Sequence, residues 1–138
     1  MPSAEAGRAR RSAGSEPILV APEDLAGERC EACTGATPRI GPQEGRELAT
    51  ALDASWQVSE TALQREFRFK SFNAAFGLAT RVALLAESEG HHPDLEIGWG
   101  RLLVRFTTHA IGGLSRNDFI SAAKVDRIHG GEPGPSGL

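Results

Sequence analysis

The sequence contains no apolar run long enough to cross a bilayer and no apolar core of a secretory signal. The first absence excludes a helical membrane span, and the second leaves the cytoplasm as the expected compartment. An excess of basic charge is also missing. The 138 residues carry a formal net charge of -3, so no overall positive field invites a nucleic acid. Arg8, Arg10 and Arg11 lack an adjoining apolar segment and read as part of a solvated tail. Cysteine is scarce, with Cys30 and Cys33 forming a CxxC. That spacing raises zinc binding or thiol redox chemistry. A structural zinc site wants two further Cys or His ligands, and a thioredoxin-like site wants a strand before the motif and a helix opening at it. Thr34-Gly-Ala-Thr-Pro38 follows instead, so two reduced thiols are the plainer reading. Glycine-rich phosphate loops, GxSxG elbows, HExxH helices and EF-hand loops are all absent.

What is present describes one ordinary domain. Hydrophobic residues make up 40% and charged residues 24% of the chain. Residues 1–40 read as a disordered or loosely structured extension carrying the CxxC, residues 41–128 as the domain, and residues 129–138 as a flexible tail. His129 falls in that tail.

Residues 42–53 predict a first helix, with Pro42 in its first turn and Leu48, Ala51 and Leu52 as its stripe. Ser55 to Val58 reads as a short strand, joined through Ser59-Glu60-Thr61 to a second over 62–69, where Arg65 interrupts the apolar face of Leu63, Phe67 and Phe69. Trp56 fits a core position, and a tryptophan at a strand start also offers one ring face to a pocket. Ser71 to Glu87 is the strongest helix, capped by Ser71 and striped by Phe72, Ala75, Phe76, Ala79, Val82, Ala83 and Ala86. Leu78, Leu84 and Leu85 fall off that stripe and are candidates for a contact between subunits. Gly90 stops the helix and Pro93 prevents its resumption.

Leu95 to Trp99 and Leu102 to Thr108 predict two antiparallel strands around a turn at Gly98 to Arg101. Alternation places Leu102, Val104 and Phe106 on one face and Leu103, Arg105, Thr107 and His109 on the other. Ser115 then caps a last helix, with Asp118 in the capping-box position. The fold class expected is α+β: a four-stranded antiparallel sheet with helices on one face, in the order α-β-β-α-β-β-α.

Candidate chemistry gathers between Glu87 and His109. The helix end sets down His91 and His92 beside Pro93, with Glu87 one turn before them. Imidazoles titrate near working pH and suit proton transfer.

Glu87-x-x-x-His91-His92-Pro93, Trp99, His109, Gly112-Gly113-Leu114-Ser115 and Asp118 together resemble the signature of the pterin-4a-carbinolamine dehydratases. The resemblance extends back through Trp56, Phe67-Arg-Phe69-Lys-x-Phe72-Asn73 and Ala75-Phe76-Gly77, over about residues 42–128. It implies dehydration of a 4a-hydroxytetrahydropterin to the quinonoid dihydropterin, which recycles the cofactor of aromatic amino acid hydroxylases without a metal or an organic cofactor. By the same resemblance His91, His92 and His109 are the catalytic cluster, and Glu87, Trp56, Thr108 and Pro93 bind substrate. The working assignment puts His92 and His109 on the leaving hydroxyl and the ring nitrogen, while His91 binds and polarises. Family members are dimers or tetramers, and a homodimer or homotetramer is expected here. Gly90 and Ile111 depart from the family pattern without removing an imidazole. Animal members also pair with a transcription factor, a role that nothing in this sequence carries over.

Each residue alone has a plainer reading: surface histidines, a helix cap at Asp118, a solvated acid at Glu87. The joint spacing favours the dehydratase. Two other readings stand beside it: a non-catalytic pterin-binding or dimerisation module on the same fold, and metal binding by the histidines, for which adjacent imidazoles offer poor geometry.

Overall fold

A computed structural model describes residues 19–130 of the chain. The expectations for residues 1–18 and 131–138 lie outside the described residues. The elements run α1 (Pro22–Ala26), α2 (Pro42–Ala49), β1 (Gln57–Val58), β2 (Leu63–Arg68), α3 (Phe72–Glu89), β3 (Asp94–Gly98), β4 (Arg101–Phe106), a 3-10 turn (His109–Ile111) and α4 (Arg116–Gly130). From α2 onward this is the expected α+β order. The sheet is antiparallel throughout, in the order β1-β2-β4-β3.

Turn chemistry sets the pairing. In the first hairpin Ser59 Oγ accepts from the Ala62 amide at 3.0 Å, and the Ser59 amide donates to Ala62 O at 2.9 Å. In the second, Trp99 and Gly100 form a two-residue turn between paired Gly98 and Arg101. Gly100 has φ +69°, and a Cβ there would stand 2.6 Å from Phe69 O. Only glycine fits that approach.

Alternation along β4 buries Leu102, Val104 and Phe106, as their period of two predicts. They meet Leu63 and Phe67 of β2 beneath α3 and α4. Arg65, which breaks the apolar face of β2, reaches Asp126 of α4 at 2.8 Å and lies over the Phe67 ring. The opposite sheet face carries an ionic ladder, with Arg101 between Glu66 and Glu96, and Arg105 bonded to Glu96 and Gln64.

Helix α3 begins where Ser71 Oγ accepts from the Ala74 amide at 3.1 Å and ends at Gly90, φ 70°. Its inward face differs from the expected stripe. Ala75, Leu78, Ala79, Val82 and Ala86 are buried, whereas Phe72, Phe76 and Ala83 are exposed. Leu78 belongs to the core, Leu85 packs against it, and Leu84 alone of the three leucines is exposed. The helix is rotated so that the bulky leucine, rather than the phenylalanines, faces the sheet.

Residues 19–40 are packed rather than loose. Leu25 of α1 is fully buried, Lys124 Nζ donates to Ala26 O at 2.7 Å, and Glu28 pairs with Arg116 through two bonds of 2.9 and 2.6 Å. A five-residue helix is too short to display a period. The end of α4 also corrects an expectation. His129 lies in its last turn, edge-on to Phe67 at 4.9 Å and near Phe69 at 6.1 Å, rather than in a frayed tail. Burial there and the neighbouring Arg65 charge lower its pKa below the ordinary histidine value. No described helix is long and apolar enough to cross a membrane.

Candidate active site

The end of α3 sends its two histidines in different directions. Gly90 takes a left-handed conformation, so the amides of Gly90 and His91 both donate to Ala86 O, at 2.9 and 3.3 Å. His91 then turns inward and is 7% exposed. Its ring stacks parallel to Phe106 at 6.1 Å, and its Nε2 lies 2.6 Å from Asp118 Oδ1.

Asp118 stands in the first turn of α4 with no solvent exposure. Its other oxygen accepts from Thr108 Oγ1 at 2.8 Å and from the Ser115 amide at 2.9 Å. Because the Thr108 hydroxyl donates to Asp118, the Ser115 hydroxyl, 2.7 Å away, donates to Thr108. With the Asp118 carboxylate as acceptor, His91 Nε2 is the donor in this contact, and Nδ1 is the ring nitrogen that Asp118 leaves unused. This arrangement holds one imidazole in a fixed orientation.

His92 points outward, with Nε2 2.9 Å from Glu87 Oε1 across the Gly90 turn. Both side chains are open to solvent, at 60% and 79% exposure. The adjacent imidazoles thus serve separate carboxylates. Among the described residues, no group of three or more His, Cys, Asp or Glu side chains is placed to hold a metal ion.

His109 is not on the strand. β4 ends at Phe106, Thr108 forms a single bridge with Gly113, and His109 opens the exposed 3-10 turn that this bridge closes. The face assigned to His109 by alternation is therefore corrected, because pairing stops before alternation can reach it. The structure gathers His91, Thr108, Ser115 and Asp118 into direct contact and pairs His92 with Glu87. His109 joins the first group through the backbone of Thr108.

The remaining residues fall around this arrangement. Pro93 is half-buried next to His92. Thr108 is buried, with its hydroxyl committed to Asp118. Trp56 is a core residue, 7% exposed, whose indole N–H donates to Asp126 Oδ1 at 2.7 Å. It approaches Phe106 at 6.3 Å, and Phe106 in turn backs His91. A cleft of about 490 Å³ borders the same region at Leu114 and Arg39, but no histidine lines it. The histidine and carboxylate groups, not this cleft, mark the candidate site.

Sequence reasoning reads Asp118 as a helix cap and as part of the family signature, but does not place it among the candidate site residues. The available signal was aspartate where that box usually carries Glu or Gln, a side chain short enough to keep one oxygen for a second partner.

Comparison with known proteins follows the same boundaries. A family model described as "Pterin 4 alpha carbinolamine dehydratase" matches residues 39–128. A protein of Nitrosomonas eutropha, provisionally named a pterin-4-alpha-carbinolamine dehydratase, is 41% identical over 105 residues, covering 76% of this chain and 93% of its own. A Methylococcus capsulatus protein of the same provisional name is 43% identical over 106 residues, covering 75% of this chain and 92% of its own. The crystal structure of a transcriptional coactivator/pterin dehydratase from Brucella melitensis is similar with TM-score 0.63 and 36% identity, covering 67% of this chain and all of that one.

Proposed function

The chain belongs to the pterin-4a-carbinolamine dehydratase family, and from that premise we propose that it dehydrates a 4a-hydroxytetrahydropterin by histidine acid–base catalysis. The reaction breaks the bond between C4a and its hydroxyl oxygen. A proton delivered to that oxygen lets it leave as water, and a second proton leaves the adjacent ring nitrogen as the C=N double bond of the quinonoid dihydropterin forms. No electrons are exchanged with a partner. The step needs one group that gives a proton and one that takes one, each within hydrogen-bond reach.

The observation that carries this reading is the His91–Asp118 contact. A buried imidazole locked by a carboxylate is suited to hold and polarise a bound ring through its remaining nitrogen. His92, solvent-open and backed by Glu87, is suited to move a proton, and exposed His109 directly follows Thr108, whose hydroxyl bonds Asp118. This supports His92 and His109 as the acid–base pair, acting on the leaving hydroxyl and the ring nitrogen, and His91 as the binding group. The product is the form from which a reductase regenerates the cofactor of an aromatic amino acid hydroxylase, and the same reading places this work in the cytoplasm.

Association between copies is part of the proposal. Phe72 and Phe76 stack 6.1 Å apart on the outer face of α3, and both are about half exposed. Together with exposed Leu84 they form an apolar stripe suited to a second copy. Sedimentation of the full chain would show a dimer or tetramer.

Turnover tests the functional reading. The 4a-hydroxypterin is generated with an aromatic amino acid hydroxylase, and quinonoid dihydropterin is followed with and without the protein. Acceleration supports the dehydratase. Pterin binding without acceleration replaces it with a non-catalytic pterin-binding or regulatory module on the same fold.

A further inference from the structure

Cys30 and Cys33 precede the family match at 39–128 and take no part in the chemistry above. Their sulfurs nevertheless converge on one residue of α4. Cys33 Sγ accepts from Asn117 Nδ2 at 3.0 Å. Cys30 Sγ donates toward the backbone carbonyl of Asn117 at 3.7 Å and lies 3.4 Å from Ser121 Oγ. Between the cysteines, Glu31 grips the same side chain, its amide donating to Asn117 Oδ1 at 3.0 Å and its carbonyl accepting from Nδ2 at 2.6 Å. The CxxC segment thus wraps Asn117, and Asn117 directly precedes Asp118.

A second tie runs to the other half of the site. The Cys30 amide donates to Glu89 Oε1 at 2.9 Å, and Glu89 stands two residues before His91. The segment therefore fastens both helix ends whose side chains form the His91–Asp118 pair. Both cysteines are free thiols and half-buried.

We propose that Cys30 and Cys33 form a thiol–disulfide exchange site, closed by a low-molecular-weight disulfide of the glutathione type, and that closure unwraps the segment from Asn117 and loosens the first turn of α4. A disulfide requires the two Cβ atoms to approach to about 3.5–4.5 Å. In the reduced chain one sulfur is committed to the backbone carbonyl of Asn117 and the other to its side-chain amide. Closing the bond withdraws at least one sulfur from Asn117 and bends the Glu31 backbone that lies between them.

The exchange balances without a further reactant. Burial pushes the Cys30 thiol up, aided by the Glu89 and Asp118 charges and opposed by the Ser121 hydrogen bond and Lys124, which leaves Cys33 to attack first. The Cys33 thiolate takes one sulfur of the external disulfide and releases one thiolate. Cys30 then loses its proton and attacks the Cys33 sulfur, forming the internal bond and releasing the second thiolate. The protein gives up two protons and two electrons, and the external disulfide becomes two thiols.

The test uses the folded full-length chain in buffers of reduced and oxidised glutathione, with thiols counted by alkylation and mass and with hydrogen exchange on both forms. Both thiols should disappear together, leave no bound glutathione, and return with dithiothreitol. Amides of residues 115–121 should exchange at least about 10-fold faster in the oxidised form. Cys30→Ser should trap one glutathione on Cys33, because the resolving thiol is gone. The proposal is overturned if the folded protein keeps both thiols or retains a mixed disulfide, and equally if the bond forms while residues 115–121 keep their protection. None of these readouts uses pterin turnover. The proposal therefore stands or falls independently of the dehydratase reading.

Discussion

His91 and Asp118 are 27 residues apart in sequence and 2.6 Å apart in the fold. They belong to the end of one helix and the start of another, and Phe106 of the central strand backs the histidine ring. Asp118 also receives the Thr108 hydroxyl and the Ser115 amide, so one carboxylate fixes an imidazole, a strand end and a helix start together.

Removing that carboxylate should be expensive. Asp118→Ala leaves three buried donors without their acceptor and is expected to destabilise the chain by about 3–5 kcal/mol. Asp118→Asn, which retains one carbonyl oxygen, should cost less. Urea denaturation of both variants checks the ranking. Equal small losses would mean that the network contributes little.

His92 and Glu87 should behave in the opposite way. Their pair is solvent-open, and exposed pairs contribute about 0–1 kcal/mol. His92→Ala and Glu87→Gln should therefore keep thermal midpoints close to wild type. The histidine variant should lose turnover, and the Glu87 variant should lower it less. A large loss of stability in either would make this pair structural.

The division between these pairs marks how far the sequence could be read. Periodicity and capping located every helix and strand from α2 to α4, because Ser71, Gly90 and Pro93 act locally on the chain, but not the 3-10 turn at His109. The inward face of α3 holds Ala75, Ala79, Val82 and Ala86 as expected, but its edge differs, since Phe76 and Leu78 are both strongly apolar and only packing against the sheet chooses Leu78. The paired histidines stood out by their spacing. Asp118 did not, because its partnership with His91 exists only after α3, β4 and α4 have packed. The order of residues 19–40 was hidden for the same reason: its bonds to Asn117, Glu89 and Arg116 all span long stretches of chain.

Acid should release that N-terminal segment first. The Glu28 carboxyl is held below its ordinary value chiefly by its hydrogen bond from Arg116. Glu89 is also lowered: burial acts against ionisation, but the Cys30 amide, Lys124 and Arg29 outweigh it. A carboxyl with a lower pKa folded than unfolded contributes stability that is complete above the unfolded value and disappears as pH falls through the folded one. Stability should therefore decline as pH drops below about 4.5. Glu28→Gln with Glu89→Gln should be less stable at neutral pH and lose less on acidification. Urea midpoints at pH ~7 and pH ~3.5 measure both slopes, and parallel slopes would contradict the assignment.

Trp56 separates a core role from a pocket role. Trp56→Phe removes the indole donor to Asp126, which still has Arg65 and the Asp53 amide at 2.8 Å each. The cost should be about 1 kcal/mol, with pterin affinity close to wild type. Weakened pterin binding at unchanged stability would return Trp56 to the wall of the substrate site.

The most direct test is single-turnover dehydration of the 4a-hydroxypterin by wild type, His91→Ala, His92→Ala and His109→Ala, with folding checked for each. The account predicts a rate lowered by about 100-fold or more in His92→Ala and in His109→Ala, and weakened pterin binding in His91→Ala. Folded variants of all three that dehydrate at the wild-type rate would contradict catalysis by this histidine cluster.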